Sequence, residues 1–353
     1  MAPRLSVVVP IYNVESYLQE CLDSIAAQTF DALECVMVDD GSTDGSAAIA
    51  EAYAEADPRF RLVRQENQGL GAARNTGWRH VGEGTEYLAF VDSDDVLPPK
   101  AYELMIASLD ATGSDFAAGN ALRLRVEGLV PSRVHEEPFR QDRPATHISR
   151  HPALVRDRTA WNKVYRRSFF QDAGLLYPEG MLYEDAPVSI PLHFHATSVD
   201  VLHEPIYYWR IREAGDLSIT QMRTDPKGLI DRVRSIELVR EWLLAHPQPG
   251  GQGYLHAYDS NTLREELPMF FSWVCRGDRA FRRAYQQHVS RLLQQIGDDE
   301  INALGAPMRL KYRLTLNNRI GTLVLVQRLQ ERYWRLRRRL SGGAPATPVP
   351  VTT

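Results

Sequence analysis

The apolar positions of this chain fall into two regimes. Up to about residue 210, short apolar runs alternate with segments of helical period. Leu5-Ser6-Val7-Val8-Val9-Pro10-Ile11 is short and nearly continuous, which predicts a buried strand. Asn13 follows as a helix cap, and Tyr17, Leu18, Cys21, Leu22 and Ile25 then recur on one helical face. Residues 33–38 predict a second strand ending in Asp39-Asp40-Gly41-Ser42. Residues 47–56 predict a helix, and residues 60–63 a third strand. Gly69-Leu70-Gly71-Ala72-Ala73-Arg74-Asn75 opens another helix. Tyr87-Leu88-Ala89-Phe90-Val91 is a fourth strand, and it runs straight into Asp92-Ser93-Asp94-Asp95. Pro98 starts a helix, and residues 116–126 return to strand. Residues 127–160 are rich in Pro, Arg, His and Glu, keep little period, and read as an irregular excursion over the site. Order returns at Trp161-Asn162-Lys163-Val164-Tyr165. Tyr183-Glu184-Asp185 opens a helix towards His195, and residues 199–209 are mostly strand. Strands alternating with helices predict an α/β domain, a mostly parallel sheet with helices on both faces.

After Thr220 the strand signal stops. Residues 226–246, 254–275 and 278–296 have helical period, with breaks at 247–253 and at Gly277. The expected organisation is an α/β domain over 1–222, a helical C-terminal domain over 223–340 that ends in a basic helix, and a disordered tail over 341–353. No internal repeat is evident.

Composition narrows the classes. A chain of 353 residues is long for one domain and suits two. The formal charge of −4 argues against wholesale nucleic-acid binding. Cys21, Cys35 and Cys275 are odd in number and lack metal-ligand spacing, so a reducing cytoplasm is the simplest home. No secretory signal is expected at the N-terminus, and no apolar run approaches the roughly 20 residues of a membrane span. Charge is uneven, however. From Arg309 to Arg339 it is overwhelmingly positive, interleaved with Leu and Trp334. That pattern suits peripheral contact with an anionic membrane from the cytoplasmic side. A terminal helix packed on its own domain fits it as well.

The chemistry concentrates at strand ends. Ligands of open α/β sheets bind outside the carboxyl ends of the strands, where Asp92, Asp94 and Asp95 stand. Crowded carboxylates favour a shared cation, and hard oxygen ligands favour Mg²⁺ or Mn²⁺ bound together with substrate phosphates. Asp92-Ser93-Asp94 thus reads as a D-x-D clamp for a metal–diphosphate; a solvated turn capping the next helix is the plain alternative. A nicotinamide site would need G-x-G-x-x-G after the first strand, where Pro-Ile-Tyr-Asn-Val-Glu stands instead.

Four motifs, V-V-V-P-I-Y-N, V-D-D-G-S-T-D, N-Q-G-L-G-A-A-R-N-T-G and F-V-D-S-D-D, occur in that order. Over roughly residues 4–220 the chain resembles the family-2 glycosyltransferases with the GT-A nucleotide-sugar fold, in particular those of bacterial cell-surface polymer and teichoic-acid type. The resemblance implies roles. Pro10 and Tyr12 would frame the base of a nucleotide, with Asp40 accepting its N–H, which favours a UDP-linked donor over CDP. Asn67, Arg74, Asp92 and Ser93 would line the nucleotide pocket. Asp94 would ligate Mn²⁺ or Mg²⁺, with Asp92 beside it. Asp185, next to Glu184, would be the base that takes the acceptor proton in an inverting transfer. Arg212 and Ser218 would reach the diphosphate, and Lys163 would face the acceptor cleft. His193 and His195, flanking Phe194, read as structural.

The implied activity is hexosyl or N-acetylhexosaminyl transfer from a nucleotide sugar to a glycan or lipid-linked polymer hydroxyl. Two rivals stand beside it. A sugar-phosphate nucleotidyltransferase also uses acids on an α/β sheet, but its glycine-rich, basic first loop is replaced here by Asn13 and Glu15. A non-catalytic nucleotide-sugar-binding or membrane scaffold protein would leave both acidic motifs without work.

Overall fold

The computed structural model describes residues 3–212, 224–247 and 253–340. The chain falls into two units, residues 1–216 and 217–353.

In the first unit the elements run β1 Leu5–Ile11, α1 Glu15–Ala26, β2 Leu33–Asp39, α2 Ser46–Ala56, β3 Phe60–Arg64, α3 Leu70–Arg79, β4 Tyr87–Phe90 and α4 Ala101–Thr112. They continue through β5 Phe116–Arg125, β6 Gly128–Pro131, α5 Arg133–Glu136, β7 Arg143–Thr146, β8 Lys163–Arg166, α6 Arg167–Ala173, α7 Ala186–His195 and β9 Val199–Arg210. The strands form one mixed sheet in the order β3-β2-β1-β4-β8-β5-β9-β7, with β6 paired to β5. β1 to β4 are mutually parallel, and their register sets Ile11 beside Asp39 and Val8 beside Phe90. The acidic ends of β2 and β4 therefore open on the same edge. β8 enters antiparallel between β4 and β5, while β5 and β9 run parallel.

β1 is buried along its whole length, because both faces of the sheet are covered. Leu5, Val7, Val9 and Ile11 join Leu18, Cys21, Leu22 and Ile25 of α1 in one apolar cluster. On the other face, Val8 meets α3 so closely that a Cβ on Gly77 would lie 2.2 Å from Val8 Cγ1.

Three local expectations change. Asn13 does not cap α1. It sits at φ 50°, and its side-chain oxygen accepts the Thr43 N–H at 2.8 Å, tying the loop after β1 to the loop after β2. The excursion over 127–160 carries short pieces of its own, β6, α5, β7 and a 3-10 turn at Pro152–Arg156. The helical stretch expected over 254–275 breaks in two at Pro268, which has no N–H to donate; a π-type turn over Thr262–Glu266 precedes the break.

The second unit is helical: α8 Pro226–Ala245, α9 Gly253–Asn261, α10 Met269–Arg276, α11 Arg279–Ile296, α12 Asp298–Asn302, α13 Ala306–Leu316 and α14 Ile320–Leu340. Buried ion pairs cross it, Arg240 to Asp259 at 2.6 Å and Arg232 to Glu266 at 2.7 Å. The basic stretch is two helices, not one. Asn318, at φ 54°, turns the chain between them. No helix among the described residues is long and apolar enough to cross a membrane.

Gly77 thus sets how closely α3 can lie on β1. Gly77→Ala should lower stability by about 1–3 kcal/mol, because a buried strand side chain has nowhere to move. A thermal melt beside the wild type checks this; an unchanged midpoint would mean that α3 can lift off β1 at little cost.

Candidate active site

The centre of the site is a cation. Arg74 lies on α3 and is 1% exposed. Its guanidinium donates to Asp92, at the end of β4, at 2.5 Å, and to Glu184, just before α7. The ring of Tyr177 lies 5.3 Å from it. Burial works against this charge, yet Asp92 and Glu184 outweigh burial and hold the guanidinium above its usual range. Burial also pushes the Glu184 carboxyl up to about 7, against the pull of Arg74.

α3 grips the segment before α7 by two further means. Asn75 exchanges hydrogen bonds with the Tyr177 backbone, both at 2.9 Å. Gly71 lets the Pro178 carbonyl approach so closely that a Cβ there would stand 2.3 Å from its oxygen. Glu184 and Asp185 are thereby held near β4, although about 90 residues separate them in sequence. Asp185 caps α7, accepting the Ala186 N–H at 2.9 Å.

The turn after β4 is built from three acids in different surroundings. Asp95 is buried and accepts from the Tyr207 hydroxyl at 2.8 Å and the Arg210 N–H at 2.7 Å. Burial and the neighbouring acids raise its carboxyl well above the usual range. Ser93 is buried beside it. The Asp94 carboxylate is raised by burial, with Arg212 pulling the other way from 2.7 Å. Arg210 and Arg212 both lie over the ring of Tyr17, at 5.4 and 5.1 Å. Trp161 stacks on Tyr207 at 4.2 Å and braces the turn from behind. Asp95, Tyr207, Tyr17 and Trp161 carried no role in the sequence reading. The third acid of D-S-D-D was the one visible hint.

At the end of β2, Asp40 is 2% exposed. It accepts from Gln65 Nε2 at 2.7 Å and from the Gln68 and Gly69 N–H groups at 2.9 and 2.8 Å. Three of its roughly four acceptor positions are therefore filled by the loop that leads into α3. Pro10 is buried in β1, Tyr12 is 47% exposed at the mouth, and Asn67 is exposed on the neighbouring loop.

Lys163 departs from expectation. It does not face an acceptor cleft. Its side chain is fully buried, with Nζ 2.9 Å from Asp157 and 2.6 Å from the Thr159 carbonyl. A lone lysine in a sequence does not reveal whether it meets water or a buried carboxylate. Ser218 lies outside the described residues. His193 is buried against Asp157 and His195 is exposed, so the two are not a ligand pair. Among the described residues no group of three or more His, Cys, Asp or Glu is arranged to hold a metal through protein ligands alone.

Residues 6–174 match the family model described as Glycosyl transferase family 2. EpsH of Bacillus subtilis (strain 168), a protein named as a glycosyltransferase, is 36% identical over 233 residues, 64% of this chain and 66% of its own. The poly(ribitol-phosphate) beta-N-acetylglucosaminyltransferase TarS of Staphylococcus aureus (strain Mu50 / ATCC 700699) is 28% identical over 221 residues, 60% of this chain and 36% of its own. The crystal structure of S. aureus TarS 1–349 in complex with UDP-GlcNAc superposes with a TM-score of 0.68 at 20% identity, covering 93% of this chain and 92% of that one. The chain thus spans just under two thirds of the EpsH length. The TarS structure shares its fold, the GT-A sheet with a helical region after it.

Arg74 neutralises the buried Glu184 and the partly exposed Asp92 at once. Arg74→Met should therefore cost about 3–5 kcal/mol, the usual effect of removing one partner from a buried ionic group. Arg74→Met combined with Glu184→Gln should recover part of that loss. Urea unfolding of the three proteins measures both numbers, and a single variant as stable as the wild type would remove Arg74 from the centre of the site.

Proposed function

We propose, from the match of residues 6–174 to glycosyl transferase family 2, that the chain transfers a sugar from a nucleotide-sugar donor to a hydroxyl acceptor with inversion at the anomeric carbon. The observation that carries the reading is the joint use of Arg74 by Asp92 and Glu184. One buried cation joins Asp92, expected at the donor, to Glu184, the neighbour of the acid expected to activate the acceptor.

Asp92 and Asp94 offer hard carboxylate oxygens, and the second is balanced here by Arg212. That donor set fits Mg²⁺ or Mn²⁺, which needs only one or two carboxylates beside waters and substrate phosphates. When bound, such an ion supplies positive charge to the oxygens of the departing diphosphate. The chain's own residues do the rest. Asp185, at the N-terminus of α7, where the field of the helix favours a negative charge, takes the proton of the acceptor hydroxyl. The freed oxygen attacks C1 of the sugar, and the C1–O bond to the nucleoside diphosphate breaks, its electron pair leaving with the diphosphate. Arg212, released from Asp94, meets that anion bidentately in this reading. Asn67 and Tyr12 stand at the mouth for the base, and Asp40 keeps about one acceptor position for a base N–H, which favours uracil. TarS, crystallised with UDP-GlcNAc and named for a poly(ribitol-phosphate) acceptor, supports a UDP-linked donor and a cell-surface polymer acceptor.

The helical unit adds a second reading, peripheral contact with an anionic membrane. Along α14, Leu325, Leu329, Tyr333 and Leu336 form an exposed stripe at helical spacing, joined by Trp334. Arg328, Arg332, Arg335 and Arg337 flank it, all exposed. Apolar side chains bordered by arginines suit the boundary between lipid headgroups and acyl chains.

With a UDP-sugar panel and Mn²⁺, released UDP should depend on acceptor. Asp94→Asn and EDTA should each abolish it, and Asp185→Asn should lower kcat about 10²-fold or more while donor affinity is kept. Full turnover in EDTA would remove the metal from the reading, and full turnover of Asp185→Asn would move the base elsewhere.

The full chain should co-sediment with anionic vesicles at low salt and be released as salt rises, since each basic residue near the surface contributes about 1 kcal/mol that salt screens. Leu329→Glu with Trp334→Glu should abolish binding without changing the melt. Indifference to vesicles at low salt would leave α14 as a helix of the fold only.

A further inference from the structure

The network that buries Lys163 also holds α7. Asp157 accepts from Lys163 Nζ and from Asn162 Nδ2 through one oxygen, and from His193 Nε2 through the other, all at 2.9 Å. All four side chains are buried. Asn162 also donates to the Gly119 carbonyl at 3.0 Å and its own carbonyl accepts the Gly119 N–H at 3.0 Å, which fastens the segment to β5. The Thr159 carbonyl accepts from Lys163 at 2.6 Å and from the Ser189 hydroxyl at 3.1 Å. Asp185, Ser189 and His193 are four residues apart and share one face of α7. Residues 157–163 therefore hold that face at its second and third turns, and Asp185 stands on its first. The same segment carries Trp161, whose partner Tyr207 binds Asp95 and accepts the Asp92 N–H at 3.1 Å.

We propose that the buried Asp157–Lys163–His193 cluster is a positioning device, which fixes the rotation and depth of α7 so that Asp185 faces the turn carrying Asp92 and Asp94. It rests on the functional reading above. Two facts favour it over a merely packed core. Burying charge is costly and apolar residues would fill this space at least as stably, so a buried ionic cluster is poor stabilisation but strong geometric specification. One short segment, moreover, touches both halves of the site. The Lys163 ammonium and the His193 imidazole are both depressed by burial, with Asp157 holding its charge well below the usual carboxylate range. The Asp157 carboxylate can only accept, so the imidazole carries a proton on Nε2, while Lys163 meets the other Asp157 oxygen.

Removing the imidazole thus leaves the ion pair intact. His193→Leu should fold, keep donor KM within about twofold, and lose roughly tenfold in kcat, because a base displaced by a fraction of an ångström misses the near-attack geometry. His193→Gln, whose amide N–H can reach Asp157, should restore most of the loss. Hydrogen exchange of the Val188 and Ser189 amides should quicken in His193→Leu and return in His193→Gln, while β1 amides stay slow. Should His193→Leu fail to fold, Ser189→Ala cuts the second tie without touching a charge and carries the same expectations. Unchanged kcat and unchanged exchange in a folded variant would overturn the proposal, as would parallel losses in kcat and donor affinity. If the wild type transfers no sugar at all, the functional reading fails on its own, and the exchange of the α7 amides still decides whether the cluster holds that helix.

Discussion

A guanidinium with almost no access to water is the constraint on which this structure depends. Arg74 can be buried only if carboxylates meet it, and the two that do come from the end of β4 and from the segment before α7. Neither acid would be comfortable there alone. The consequence is geometric. α3 must lie flat enough on β1 to aim Arg74 inward, which the absence of a side chain at Gly77 permits. The 177–184 segment must come within backbone contact of α3, which Gly71 and Asn75 permit. Small residues and one amide thus set the distance at which a cation can serve two anions.

The acids after β4 divide the remaining work by environment. Asp95 is buried and spent on Tyr207 and the β9 backbone. Asp92 is partly exposed and pairs with Arg74, while Asp94, somewhat less exposed, meets Arg212. Three neighbouring carboxylates in one stretch therefore have an architectural member, a member that bridges to Arg74 and a member paired with Arg212. All of these acids lie in the α/β unit, and Asp92 to Asp95 and Asp40 stand at the same edge of its sheet.

The strand–helix alternation, the helical second half and the order of the acidic motifs were legible in the sequence, because they depend on local period and on where apolar runs stop. Leu5–Ile11 has to be a buried strand whatever surrounds it, and Asp92 to Asp95 have to stand at a strand end. The likeness to family-2 glycosyltransferases was legible for the same reason, since it is carried by four short stretches at strand ends.

Partners across long sequence distances were not legible. Whether Lys163 met water or Asp157, whether Asn13 capped its own helix or bound Thr43, and whether Arg74 lay on a surface or between two acids are questions of burial, and burial is set by what packs over a residue. The antiparallel entry of β8 between β4 and β5 was hidden likewise, as a four-residue strand has no period to read. The sequence by itself determined which side chains could do chemistry. The tertiary structure alone decided which were spent on one another, because the energy of a charged group depends on its solvent and its neighbours far more than on its place in the chain.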